Sequence, residues 1–332
     1  MEVRAFGRTG LRLSLLGFGC GAVGGLMVRG EAAAQQRAIA RALEVGVNYF
    51  DTAALYGNGE SEKNLGRALR ALQDRTALIG TKVRLAPRDF GRIEAAMTES
   101  LEASLRRLGR EAVDIFHLHN AVTEAGGGET LSVRQVLHEV VPAMAALRRQ
   151  GKIRFIGLTA VGDTAALAAV LDAGRFDSAQ IVYNLLNPSA AAALPARYPA
   201  QDYDRLLDRA AAAGTGAIGV RVLAGGALSG SAERHPVASP PPPPIGSAFA
   251  FDADLARAQR LAPLIAEGFT ATLAEAATRF AITPPTIGTI LVGMATPEQF
   301  ESALAAVEKG PLSAAALARI AALQQGFAGE SR

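Results

Sequence analysis

The chain has no tryptophan, one cysteine, and aromatic residues at only 5% of its 332 positions. A lone Cys20 rules out an internal disulfide and fits a reducing compartment; such a cysteine reads as a small buried apolar filler. Long hydrophobic runs are missing too, since no window approaches the roughly 18 consecutive apolar residues of a bilayer span. The opening Met1-Glu2-Val3-Arg4-Ala5-Phe6 lacks the charged-then-apolar profile of a secretory signal. These absences predict a cytoplasmic protein without membrane contact. Charge is unblocked: 34 Lys and Arg against 31 Asp and Glu leave a formal +3, dispersed along the chain. That excludes a polybasic nucleic-acid footprint. Histidines stand only at 117, 119, 138 and 235. With no second ligand cluster, His117-x-His119 alone is weak evidence for zinc, and no metal is expected.

What the chain has is apolar bulk, 49% of residues, for a core of Ala, Leu, Val and Ile. Length alone suggests about two domains, but α/β barrels use such a length as one. The sequence repeats one unit: a short apolar run, a turn, then helical spacing. The runs are Leu15–Gly19, Val47–Phe50, Ala77–Thr81, Val113–Leu118, Ile153–Leu158, Ser178–Val182, Gly216–Val220 and Thr286–Leu291. Between them lie stripes such as Leu65, Ala68, Leu69 and Leu72, at the i, i+3, i+4, i+7 spacing of a buried helix face. Eight βα units predict a parallel sheet closed into an (β/α)8 barrel, one domain over residues 1–332.

Two segments depart from the repeat. Residues 3–14 read as a hairpin turning at Gly7-Arg8-Thr9-Gly10, a lid on the barrel bottom. Residues 224–250 form a long insertion after strand seven, with prolines at 240 to 244. The run reads as a stiff, solvated spacer; the sharper alternative is a flap over a bound ligand.

Barrel chemistry sits at the C-terminal strand ends. Those ends carry Asp51, Tyr56 five residues on, Lys82 and His119. The set suits proton transfer to a carbonyl oxygen. A phenol is a poor neutral-pH catalyst unless its phenolate is stabilised, and a neighbouring ammonium, here Lys82, would lower its pKa. Asp51 would hold Lys82 charged, and His119 would orient the substrate oxygen. Each residue has a bland reading alone, as a helix cap, loop aromatic, solvated charge or core histidine. Their joint placement carries the argument.

The same residues resemble a known family. Asn48-Tyr49-Phe50-Asp51-Thr52-Ala53-x-x-Tyr56-Gly57 followed by Ser61-Glu62-x-x-Leu65-Gly66 is similar to the signature of aldo-keto reductases. Thr81-Lys82, His117-Leu118-His119 and Gly151-Lys152-Ile153-Arg154-x-Ile156-Gly157 continue the match in order. The opening, from Arg4 to Gly17, fits as well. The resemblance implies a catalytic tetrad of Asp51, Tyr56, Lys82 and His119, with Tyr56 as proton donor. It also implies direct hydride transfer from NADP(H) or NAD(H) to a small-molecule aldehyde or ketone, or from the matching alcohol or sugar.

For the nucleotide, the resemblance points to Thr159 and Gln180 at the carboxamide, with Val220 where the family stacks an aromatic. Ala160 stands where the family carries an amide. Arg221, Leu223 and Gly225 fall on the stretch whose backbone meets the pyrophosphate, where glycine permits close approach. Gly293, Thr296 and Gln299 open the last helix, whose N-terminus attracts phosphate. No basic residue lies between Leu291 and Ala303, so a strong grip on the 2′-phosphate of NADP(H) is not expected. The substrate pocket is expected along Gly21 to Met27, Leu55, the 120–130 loop and the insertion. The alternative function is a nucleotide-binding regulatory subunit with little turnover. Neither substrate identity nor oligomeric state follows from the residues.

Overall fold

The computed structural model describes residues 1–330. Eight parallel strands close into a barrel: β1 (Leu16–Gly19), β2 (Tyr49–Asp51), β3 (Leu78–Val83), β4 (Val113–Leu118), β5 (Ile153–Thr159), β6 (Ser178–Val182), β7 (Gly216–Val220) and β8 (Ile287–Gly293). Each pairs with its sequence neighbours, and β8 pairs with β1 to complete the ring. One helix per unit packs outside: α1 (Ala32–Glu44), α2 (Glu60–Ala71), α3 (Ile93–Leu108), α4 (Val141–Arg149), α5 (Thr164–Asp172), α6 (Leu206–Ala212), α7 (Leu273–Ala281) and α8 (Pro297–Glu308). The strands are buried on both faces, which is why they read as apolar runs rather than as alternation. One core fills the space between strands and helices. A second, around Phe6, Leu13, Tyr49, Ile115, Ile218 and Leu291, fills the barrel.

The hairpin, Val3–Ala5 against Arg12–Ser14, closes the bottom as expected. It delivers Phe6, fully buried, into the barrel floor, a burial worth about 1.5–3 kcal/mol. Gly216 makes the room: a Cβ there would lie 2.8 Å from the Phe6 ring.

Several strands run further than their apolar patterns. β2 reaches Asp51, β3 reaches Val83 and β8 reaches Gly293. The parallel pairing carries on through polar positions, with Asp51 opposite Gly19 and Lys82 opposite His117. At β2 and β3 the apolar run stops early because Asp51 and Lys82 are polar.

The 120–130 loop corrects the expected pocket wall. Val122–Thr123 pairs in parallel with Leu131–Ser132. Asn120 Nδ2 donates to Leu85 O at 2.8 Å and to Glu129 O at 3.0 Å, drawing the loop onto its neighbours. The insertion divides between its two readings. Its first part, tied by Arg29 Nε to Val237 O at 2.7 Å, lies over the barrel mouth. The proline run beyond it is largely exposed, anchored where Arg221 Nη1 donates to Pro243 O at 3.2 Å.

Candidate active site

Asp51, Lys82, Tyr56 and His119 meet at the barrel mouth. Asp51 and Lys82 are buried and joined by an ion pair, and Lys82 Nζ also donates to Thr52 O at 2.9 Å. That ammonium lies 4.8 Å from the centre of the Tyr56 ring, so amine and phenol share one space. The rings of Tyr56 and His119 meet edge to face at 5.8 Å. Tyr56 stands on the turn between β2 and α2, which the neighbouring residues stitch down. Thr52 and Ser61 hydroxyls bond at 2.8 Å, and Ser61 Oγ donates to Cys20 O at 2.8 Å. Beneath Lys82, buried Glu62 accepts from Thr81 Oγ1 and Arg107 Nε, each at 2.6 Å, fixing the end of β3.

The electrostatics correct one expectation. Burial raises the Tyr56 pKa above its ordinary value, and the opposing pull of Lys82 does not reverse it. The ammonium limits the rise instead of producing an acidic phenol. Burial alone would lower Lys82, but Asp51 and Tyr56 outweigh it and hold the amine charged. Burial lowers His119 to about 3, helped by Lys82 and Arg84, so its imidazole is neutral at ordinary pH. Cys20 is buried and its thiol is pushed far up by burial and by Asp51, as suits a filler.

A cavity of about 630 Å³ opens from this cluster and runs across the mouth to α7 and α8. Of the positions picked from sequence, Thr159, Gln180, Arg221, Leu223, Gly225, Gly293 and Gln299 line it, as does Val220. Thr296 is not on that lining; its hydroxyl accepts from Gln299 N at 3.4 Å as the N-cap of α8. Gln180 faces inward, donating from Nε2 to Asp51 Oδ2 at 2.6 Å and accepting from Thr159 Oγ1 at 3.4 Å. Gly225 and Gly226 have φ of +70° and +107° and make a turn that a side chain would strain.

Three contributors escaped the sequence reading. Tyr49 Oη reaches Asp51 from inside the barrel at 3.1 Å. Glu62, inside a quoted motif, had no role there. Arg234 stands on the insertion beside the glycine turn, donating to Gly225 O at 2.8 Å and to Ala238 O at 2.9 Å. At the far end Lys309 also lines the cavity, but Glu275 holds it at 2.7 Å. Among the described residues no group of acids, histidines and cysteine could hold a metal ion, and no helix is long and apolar enough to cross a membrane.

Comparison with known proteins agrees with this architecture. The model of the Aldo/keto reductase family matches residues 15–325. The chain is 30% identical to L-galactose dehydrogenase of Arabidopsis thaliana over 316 residues, 92% of this chain and 88% of that protein. It is 31% identical to L-glyceraldehyde 3-phosphate reductase of Escherichia coli strain K12, over 69% of this chain and 64% of that one. Among solved structures, the holo form of aldo-keto reductase AKR11C1 from Bacillus halodurans superposes with a TM-score of 0.69. That match is 22% identical and covers 100% of this chain and 97% of the other. The chain belongs to the aldo/keto reductase family of oxidoreductases.

Proposed function

We propose that the chain is an NAD(P)(H)-dependent reductase or dehydrogenase acting on a small aldehyde or ketone, or on the corresponding alcohol or sugar. One observation carries this reading: Lys82, held by Asp51, faces Tyr56 and His119 at the inner end of a long cavity. The cavity suits a dinucleotide. Its lining reaches from Asp51 to Lys309, and two arginines with no carboxylate partner among the described residues, Arg221 and Arg234, flank a glycine turn in it. Thr159 and Gln180 are assigned to the carboxamide beside Val220. Arg221, Leu223, Gly225 and Arg234 are assigned to the pyrophosphate. Gly293 and Gln299, with Thr296 capping the helix, are assigned to the adenosine end.

When bound, the reduced nicotinamide supplies hydride to the carbonyl carbon. Tyr56 supplies the proton. Burial keeps its phenol protonated, which is the form that reduction requires. Lys82 then stabilises the phenolate left behind, and neutral His119 orients the substrate oxygen without adding charge. Alcohol oxidation needs the phenolate first, and burial opposes it, so oxidation should gain as pH rises. The whole chain is assigned to one domain, and a cytoplasmic setting rests on the single cysteine. Both L-galactose dehydrogenase and L-glyceraldehyde 3-phosphate reductase, by their names, act on sugars or sugar derivatives. The panel that tests this function therefore starts with aldoses and short hydroxyaldehydes, with NAD(H) and NADP(H), read by nicotinamide absorbance. Tight nucleotide binding with no turnover on any carbonyl or alcohol would leave the regulatory-subunit reading in its place.

A further inference from the structure

Tyr49 lies below this site, and no role assigned above uses it. It is two residues before Asp51 on β2, so both side chains point into the barrel. The ring is fully buried, yet its hydroxyl has a partner, Asp51 Oδ2 at 3.1 Å. The same oxygen accepts from Gln180 Nε2 at 2.6 Å, while Oδ1 accepts from Lys82. The carboxylate is thus gripped from β2, β6 and β3. Its neighbours leave space for the phenol: a Cβ on Gly80, opposite Asp51 in register, would collide with Tyr49 Oη. Phenylalanine would fill the same volume without burying a hydroxyl, which costs free energy wherever it lacks a partner.

We propose that Tyr49 is a positioning residue of the proton-transfer site, its hydroxyl fixing Asp51 as a carboxylate so that Lys82 stays charged and aligned with Tyr56. This rests on the reading of Tyr56 as proton donor. Burial drives Asp51 toward its protonated form, and Lys82, Tyr49 and Gln180 oppose that drift. Gln180 lines the cavity, where a ligand competes for its amide; Tyr49 lies outside the lining. Burial and the Asp51 charge hold the Tyr49 phenol well above 10, so it remains a donor at any working pH. The other titratable groups acting on Asp51 are Lys82 on β3, Tyr56 after β2 and Cys20 after β1. His117 on β4 and His119 just after it act on that side through Lys82, and Asp114 acts on Tyr49. Lys82 is the cation among them.

The test is Tyr49→Phe, which keeps the ring. Losing a hydrogen bond to a charged group predicts a roughly tenfold fall in kcat, with KM and nucleotide Kd changed less than about threefold. A carboxylate that loses a donor keeps its proton to higher pH, so the acid limb of kcat moves up by about one unit. The second measurement needs no turnover. Infrared difference spectra of the nucleotide-free protein, with Asp51→Asn identifying the band, should show the Asp51 protonation midpoint rising by the same amount. A tyrosine that only fills space would accept phenylalanine with neither midpoint moved, and unmoved midpoints overturn the proposal. If the wild-type protein turns nothing over, the infrared titration still decides whether Tyr49 controls Asp51. The missing turnover then counts against the proposed function alone.

Discussion

At the inner end of the cavity Asp51, Lys82 and Gln180 are tied to one another from three strands, with Tyr49 sealing the carboxylate from below. At the outer end, among the described residues, the side-chain hydrogen bonds of Arg221 and Arg234 go to backbone carbonyls, and Lys309 is already matched by Glu275. The inner charges are balanced before any ligand arrives, which is what a preorganised reacting centre requires. The outer arginines carry charge that no carboxylate among the described residues pairs with, which suits a polyanion that comes and goes. Substitutions inside should therefore cost rate or stability, and substitutions outside should cost affinity.

The most severe way to strain that contrast is Tyr56→Phe. Removing a positioned proton donor should lower kcat by about 10²–10⁴-fold, while nucleotide Kd, read by fluorescence titration, stays nearly unchanged. Wild-type turnover in this variant would remove Tyr56 from its role. Next is Lys82→Met, which strands the Asp51 carboxylate in the barrel. Breaking one side of a buried ion pair costs about 3–5 kcal/mol of stability, measurable by urea denaturation. Adding Asp51→Asn should return part of that loss while activity stays absent. Unchanged stability in the single variant would mean that Asp51 simply takes up a proton there.

The barrel was legible because its strands are apolar on both faces and its helices keep a 3.6-residue stripe. The reactive set was legible because Asp51, Lys82 and His119 interrupt apolar runs at their C-terminal ends. Tyr49 was hidden: within a strand a tyrosine reads as an ordinary β-former, and its partner emerges only once register sets Gly80 opposite Asp51. Glu62 looked like a first-turn helix acid; its burial against Thr81 and Arg107 comes from the packing of α2 on β3 and α3. Arg234 sits in an insertion without any period, so no spacing rule could place it beside Gly225. The lowered Tyr56 pKa failed for a different reason. Sequence supplies the neighbouring charge but not the depth of burial that outweighs it.

At the outer end the comparison is sharpened by Arg234→Gln. It should weaken binding of either nucleotide by about tenfold, the scale of one charge-assisted hydrogen bond, with kcat nearly intact. An unchanged Kd would move the pyrophosphate away from the glycine turn.

The smallest effect expected is discrimination between the two nucleotides. A built 2′-phosphate site needs a free cation, and arginine is the side chain that supplies a bidentate grip. The opening of α8 offers Gln299, whose Oε1 is occupied by Ala295 N at 2.7 Å, and no basic residue. Lys309, just past the end of α8, is the next cation along the chain, and Glu275 holds it while also accepting from Arg279 at 3.1 Å. A 2′-phosphate would have to compete with that carboxylate for the lysine and would meet its repulsion. NAD(H) and NADP(H) dissociation constants, measured side by side at one ionic strength, should therefore lie within about a hundredfold, since a single lost phosphate contact is worth about 1.5–3 kcal/mol. Glu275→Gln should shift the ratio toward NADP(H) by releasing Lys309. A wild-type preference for NADP(H) beyond a hundredfold would mean that the adenosine ribose lies against cations other than these, and the outer half of the cavity would need to be reassigned.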